Sequence, residues 1–306
     1  MDPRLIVEVR WGLMNGRKVA INPGASLRVG RTDRADFEIP HDDHLSALHF
    51  ALDWDGERCR VRDLGSAEGT LINGEAAKEG EVGHGGWIHA GETDFSIYIE
   101  DKIPPPAGDE PDDDELFDED ERRQRTDARA AEQRRCGAAV EALSMLRAEA
   151  ERAPMFAILD AARDDRILEL ARQSVEAHQS LYEGVQGEPL ATVAPYLVGP
   201  FRASSKLLSR LVTEGWGKRW GIYLTSREPF KEVRRHFRRF LIVEMEDTEE
   251  PLYFRYYDPW VLRVFLPTCS ERQRAEFKQA IELLAYEGDD YSVVCSRNVQ
   301  LNSDSL

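Results

Sequence analysis

Cysteine is scarce in this chain. Its four residues, Cys59, Cys136, Cys269 and Cys295, are scattered with no paired spacing. That pattern argues against a disulfide framework or a zinc site and suits a reducing cytoplasm, where the protein is expected to reside. No apolar run approaches the roughly 20 residues a membrane span requires, so no membrane partner is expected. The first residues mix Asp2, Arg4, Glu8 and Arg10 with apolar side chains and do not read as a signal peptide. Basic charge is also in short supply: 40 Lys and Arg stand against 57 Asp and Glu, a formal net charge of -17. Phosphate backbones need clustered Lys and Arg, so nucleic acid is not an expected partner. The sequence contains no Gly-x-Ser-x-Gly elbow, no phosphate-binding glycine loop and no His-Glu-x-x-His. Accordingly no catalytic residue, cofactor or metal site is assigned, and a non-enzyme is expected. His41, His44 and His49, with Asp42 and Asp43, read as a polar loop rather than a metal set, because no Cys joins them.

What is present points to two domains. The chain has 306 residues, 42% of them hydrophobic, enough for two cores. Charge is unevenly spread: residues 101–121 hold eleven acidic side chains against one lysine. Prolines at 104–106 and 111 remove backbone donors there, and like charges repel. Residues 103–117 therefore read as an acidic disordered linker. Residues 118–153 are rich in Ala, Glu and Arg and predict a connecting helix, with Val140, Leu143, Leu146 and Ala150 as its apolar stripe.

The first hundred residues predict many short strands: Leu5–Val9, a hairpin at Asn15-Gly16, Val19–Ile21, Leu27–Val29, Phe50–Trp54, Cys59–Asp63, Thr70–Ile72 and Phe95–Ile99. Gly, Asn and Asp punctuate them, as in a β-sandwich. Three loop clusters recur in order: Gly30-Arg31, then Ser46-Ala47-Leu48-His49, then Asp63-Leu64-Gly65-Ser66-Ala67-Glu68-Gly69-Thr70 followed by Asn73-Gly74. Over residues 1–102 this resembles the forkhead-associated (FHA) family, whose β-sandwich loops bind phosphothreonine peptides. The resemblance implies a degenerate phosphopeptide site at Arg31, Ser46, Ser66, Glu68, Thr70 and Asn73, with His49 bracing the loop. Two positions depart from the family: Ala47 lacks its Arg or Lys, and Glu68 replaces an Asn that grips the peptide main chain. A carboxylate only accepts hydrogen bonds and repels phosphate. A phosphothreonine ligand, an unphosphorylated protein ligand and a module that only supports its neighbouring domain all stay open.

After the helix, strand and helix patterns alternate, predicting a mixed α/β domain over residues 154–288 and a mobile tail over 289–306. Met155–Leu159 and Trp220–Leu224 read as strands. Ser204–Glu214 reads as a helix with Leu207, Leu208 and Leu211 inward. A hairpin is expected around Glu246–Pro251. Asp258-Pro259 is a helix start, and Ser270 with Gln273 a capping box opening a last helix with Phe277, Ile281 and Leu284 as its stripe. The helix at Glu228–Arg239 carries the dense basic group Lys231, Arg234, Arg235, Arg238 and Arg239.

Several ordered segments in this half look like the type VI secretion adaptor family (Tap or TEC adaptors), first catalogued as a domain of unknown function. They include Met155–Arg163, Leu181-Tyr182-Glu183-Gly184, Ala194-Pro195-Tyr196-Leu197, Gly215-Trp216-Gly217, Pro229-Phe230 and Phe254–Pro259. The resemblance implies a cytoplasmic chaperone that binds a toxic effector and helps load it onto the spike protein VgrG. Trp216, Trp220, Arg234, Arg235, Arg238, Tyr253, Tyr256, Tyr257 and Trp260 are the partner-binding candidates, because aromatic side chains and arginine anchor interfaces. The whole chain then reads as a multidomain protein: an all-β FHA-like sandwich and a mixed α/β adaptor domain, joined by an acidic linker and a helix. The alternative is a phosphothreonine-dependent signalling scaffold regulating secretion assembly.

Overall fold

A computed structural model describes residues 3–10, 14–106, 119–182, 190–244, 251–279 and 281–297. Internal contacts divide the chain into two units, residues 1–104 with 169–177, and residues 105–168 with 178–306.

The first unit is built on eleven strands: β1 (Leu5–Val9), β2 (Lys18–Ile21), β3 (Ala25–Gly30), β4 (Phe37–Glu38), β5 (Phe50–Trp54), β6 (Cys59–Asp63), β7 (Thr70–Ile72), β8 (Glu75–Ala76), β9 (Glu79–Val82), β10 (Trp87–Ala90) and β11 (Thr93–Ile99). They form two sheets, ordered β2-β1-β11-β10-β7-β8 and β4-β3-β5-β6-β9. Period-two patterning sets which side chains face inward. In β3, Leu27 and Val29 are buried while Ser26 and Arg28 face out; in β6, Cys59 and Val61 are buried and Arg60 and Arg62 face out. Facing residues meet at a T-shaped Phe50–Phe95 pair with ring centres 5.3 Å apart. Each such ring contributes roughly 1.5–3 kcal/mol by burial. The hairpin expected at Asn15-Gly16 joins β1 to β2, with Gly16 at φ 84° supplying the left-handed turn.

Along the rest of the chain, α1 (Glu119–Ala150) precedes β12 (Met155–Asp160), α2 (Arg166–Arg172), most of which groups with the first unit, β13 (Ala177–Ser180), β14 (Pro195–Phe201), α3 (Lys206–Gly215), β15 (Gly221–Thr225) and α4 (Phe230–Arg238). Then follow β16 (Ile242–Glu244), β17 (Pro251–Tyr253), α5 (Pro259–Thr268), α6 (Glu271–Phe277), β18 (Leu283–Glu287) and β19 (Val293–Arg297). The main sheet runs β13-β14-β12-β15-β18-β19, and β16 pairs with β17 as a separate hairpin. All six residues of central β12 are buried, which is why it reads as one continuous apolar run. Helix starts follow their expected chemistry. Ser205 caps α3 by accepting from the Leu208 amide, and Asp258 caps α5 with Pro259 at its first position. Ser270 and Gln273 form the capping box of α6.

Several expectations need correction. The buried face of α1 is Arg135, Ala139, Ala142, Leu146 and Glu149, so the stripe is rotated from the one expected; Val140 points to solvent. The small alanines let α1 approach α3, where Arg147 Nη2 donates to Ser209 Oγ at 2.6 Å. The last helix ends at Phe277, and Leu284 lies in β18, all five residues of which are buried. The predicted tail contains β19, which pairs antiparallel with β18, moving the domain boundary beyond 288. As an edge strand it mixes exposed and half-buried residues, so it lacks the alternation that would have revealed it. Of the expected acidic linker, residues 107–117 lie outside the described residues, as do 298–306 of the tail.

Candidate functional site

Three loops of the first unit converge beside the ends of β3, β5 and β6. Gly30 allows the first contact. A Cβ there would sit 2.3 Å from the Ala47 carbonyl oxygen, so only glycine lets the end of β3 lie against the β4–β5 loop. The Arg31 amide then donates to the Ser46 carbonyl at 3.0 Å. His49, fully buried, ties two loops together. Its Nδ1 accepts from the Ser46 amide at 3.1 Å, which leaves Nε2 as the protonated nitrogen donating to the Gly69 carbonyl at 2.9 Å. Asp42, also buried, accepts from the amides of His44, Leu45 and Glu92 and from Thr93 Oγ1, joining the β4–β5 loop to the β10–β11 turn.

Asp63 organises the β6–β7 loop. It accepts from the Gly65 and Ser66 amides, from Ser66 Oγ at 2.5 Å and from Thr70 Oγ1 at 2.7 Å. Burial pushes the Asp63 carboxyl up, but these hydrogen bonds outweigh it and hold it down to about 2. Ser66 and Thr70 thereby spend their protons on Asp63, and Thr70 is buried. Ser46 Oγ instead accepts from the Ala67 amide at 3.0 Å, and its own proton is uncommitted among the described residues. The Arg31 guanidinium is part-exposed: Nε donates to the Leu45 carbonyl at 3.2 Å and Nη1 stands 3.7 Å from Asp43. Glu68 lies 2.6 Å from His44 Nδ1. Asn73 stands apart, at φ 50° in the β7–β8 turn, where its Oδ1 accepts from the Trp87 amide. The loops thus bring Arg31, Ser46, Ser66, Glu68 and His49 together and leave Asn73 out. Chemically, the surface offers one free hydroxyl donor and one guanidinium among several carboxylates.

The second unit holds a different arrangement. Asp258 accepts from the Trp260 amide at 2.9 Å, from Arg219 Nε at 3.0 Å and Nη2 at 2.5 Å, and from Arg163. Burial raises its carboxyl, but these donors outweigh burial and hold it below the usual carboxylate range. Asp160, at the end of β12, is buried and paired with Arg255. Glu287 accepts from the amides of Gly217 and Arg219; its burial raises its pKa. On the rim, Arg219 lies 5.6 Å from the centre of the Trp260 ring.

Residues 27–91 match the family described as FHA domain, and residues 155–276 match the family described as Domain of unknown function (DUF4123). The chain carries an FHA domain followed by a DUF4123 domain. A curated relative of the first part, FHA domain-containing protein FhaA of Mycobacterium tuberculosis, is 29% identical over 83 residues, 27% of this chain. The chain spans 15% of the length of that relative. Among solved structures, an FHA domain studied for phosphothreonine-dependent interactions is 26% identical, with 97% of it and 32% of this chain covered at a TM-score of 0.29. The FHA domain of a hypothetical protein from Arabidopsis thaliana is 28% identical, with 92% of it and 35% of this chain covered at a TM-score of 0.30.

In the DUF4123 domain the aromatic candidates separate. Trp216, Trp220, Tyr256 and Tyr257 are buried and belong to the core rather than to a partner surface. Trp216 Nε1 donates to the Tyr291 carbonyl at 2.7 Å, and Tyr256 packs between Phe237 and Phe277. β17 ends at Tyr253 and the chain then turns, and Tyr256 and Tyr257 are both buried there. Tyr253 and Trp260 are exposed, at 68% and 52%. Of the arginines, Arg234 and Arg238 reach inward to the carbonyls of Ser180 and Leu181, at 2.7 and 3.0 Å, and serve the fold. Arg235 faces solvent beside Glu232. Sequence reasoning missed Arg219, Arg163 and Asp258 as one cluster, because they lie far apart in the chain. The one local signal was Asp258-Pro259. Among the described residues no three His, Cys, Asp or Glu side chains gather as a metal site.

Proposed function

We propose that this protein is an adaptor with two protein-binding heads. The DUF4123 domain binds a type VI secretion effector and helps load it onto the VgrG spike in the cytoplasm, and the FHA domain holds a further protein through a phosphothreonine. The observation that carries the reading is Trp260. Its indole is half-exposed and stands over Arg219, which buried Asp258 holds in place. An aromatic side chain with a pre-set arginine is the combination that anchors interfaces at small entropic loss. Tyr253, Ile242 and Val243 supply further exposed apolar area in the same domain. The resemblance of residues 154–288 to effector adaptors supports the cargo class. The same features support a binding role.

The test is capture from the source cells by the full-length protein, followed by mass spectrometry. Wild type should recover an effector and a spike protein, and Trp260→Ala should lose at least one of them. Recovery of neither by wild type would overturn the adaptor reading, and undiminished recovery by Trp260→Ala would remove Trp260 from the interface. A second reading, a phosphothreonine-dependent scaffold regulating secretion assembly, is favoured by the part-exposed Arg31 beside the uncommitted Ser46 hydroxyl. It expects captured partners to vanish on phosphatase treatment and on Arg31→Ala.

A further inference from the structure

Glu68 stands where FHA domains carry an asparagine, and a carboxylate there opposes a phosphate. It does not stand alone. Its Oε1 lies 2.6 Å from His44 Nδ1, and the other ring nitrogen, Nε2, lies 3.5 Å from Glu92 Oε1. Neutral imidazole carries one N–H and can serve one of these carboxylates; imidazolium serves both. Three loops contribute the groups that face His44: its own β4–β5 loop, the β6–β7 loop with Glu68 and the β10–β11 turn with Glu92. Buried Asp42 accepts the His44 amide from below, and neighbouring Asp43 faces Arg31. With His44 neutral, Arg31 would be set against Asp42, Asp43, Glu68 and Glu92, a surface that repels a dianion. The hydrogen bond to Glu68 and the charges of Glu68 and Glu92 raise the His44 pKa, against a small opposing effect of burial.

We propose that His44 is the second cation of the phosphothreonine site. As imidazolium it masks Glu68 and takes the place of the basic side chain missing at Ala47. It thereby determines whether these loops accept a phosphate. The inference rests on the phosphothreonine reading of the FHA domain. A group with a raised pKa holds its proton at and below its ordinary range and loses it as pH climbs through the raised value. The ligand works in the other direction, because phosphothreonine gains its second charge near pH 6. Affinity should therefore peak just above about pH 6 and fall on the alkaline side as His44 deprotonates.

The experiment uses the full-length protein and an immobilised degenerate phosphothreonine peptide library, with the unphosphorylated library as control. Peptides recovered are then titrated at about pH 6.5 and about pH 8.5. Wild type should bind about tenfold more tightly at the lower pH, and His44→Gln should weaken binding by a similar factor and flatten the alkaline limb. Glu68→Asn should bind at least as tightly as wild type, and adding His44→Gln to it should still weaken binding, though by less than in the wild-type background, because the cation is lost but no carboxylate at position 68 is unmasked. If His44→Gln binds phosphothreonine with the wild-type pH profile, the role assigned to His44 is wrong while the phosphothreonine reading survives. If neither wild type nor Glu68→Asn prefers the phosphorylated library, the phosphothreonine reading itself falls, and this inference with it. Equal melting temperatures of the variants would exclude misfolding as the cause of a loss.

Discussion

Replacing Gly30 by alanine tests how the converging loops of the FHA domain are held. The added Cβ would lie 2.3 Å from the Ala47 carbonyl oxygen and 2.9 Å from the Leu48 Cα. Both are backbone atoms, so no side chain can swing aside. Ordinary van der Waals contact begins at 3.4 Å, so the end of β3 and the β4–β5 loop must part by about 1 Å. That opening strikes the Arg31 amide bond to the Ser46 carbonyl, 3.0 Å long, and the weaker Thr32 amide contact to the Ala47 carbonyl. Overpacking typically destabilises by about 1–3 kcal/mol, and an orphaned amide adds about 1–3 kcal/mol. Relaxation shares these effects, so a loss on the order of 3 kcal/mol is expected. Hydrogen exchange read by mass spectrometry is the suitable assay, because it reports the FHA domain separately from the DUF4123 domain. Peptides covering residues 27–50 should lose protection by about two orders of magnitude, and phosphopeptide capture should fall with them. Unchanged protection together with unchanged capture would refute the claim that this backbone approach sets the site.

Other perturbations probe the remaining contacts. Asp258→Ala removes the acceptor shared by Arg163, Arg219 and the Trp260 amide, and should destabilise the DUF4123 domain by about 3 kcal/mol in urea unfolding. A loss below about 1 kcal/mol would mean that the part-exposed arginines simply rehydrate. Asp63 has a folded pKa depressed to about 2 from 3.8, so its contribution is present above the ordinary value and lost as pH falls through about 2. After allowance for solvent screening this amounts to on the order of 1 kcal/mol. A carboxyl titration of Asp63 by NMR with its midpoint at the ordinary value would contradict the four hydrogen bonds assigned to it.

The sandwich was largely legible because its signals are local. Alternation in Leu27–Val29 and Cys59–Asp63 marks the strands, and Asn15-Gly16 marks the first hairpin. The loop clusters were legible as residue types at fixed spacing, but their division of labour was not. Nothing in the order of residues says that Ser66 gives its proton to Asp63 while Ser46 keeps its own, or that His44 reaches Glu68 across 24 positions. In the second domain, capped helices such as that after Ser270 were visible, whereas β19 was not, because an edge strand has no buried alternation to display. The aromatic residues show the limit most plainly. Trp216, Trp220 and Trp260 look equivalent in the chain; long-range packing alone buries the first two and exposes the third.

The two inward-reaching arginines of α4 have a consequence for self-association. Arg234 and Arg238 occupy carbonyls at the exit of β13, the strand that ends one side of the DUF4123 sheet. A bare sheet margin is a template on which a stray chain can zip up, and bulky cations are among the commonest guards against it. The guanidinium groups here staple the end of the marginal strand to the helix and place two cations beside it. A protein that handles other polypeptides in a crowded cell thus keeps this flank unreceptive, and shortening both arginines to alanine would be expected to cause precipitation before any loss of secondary structure.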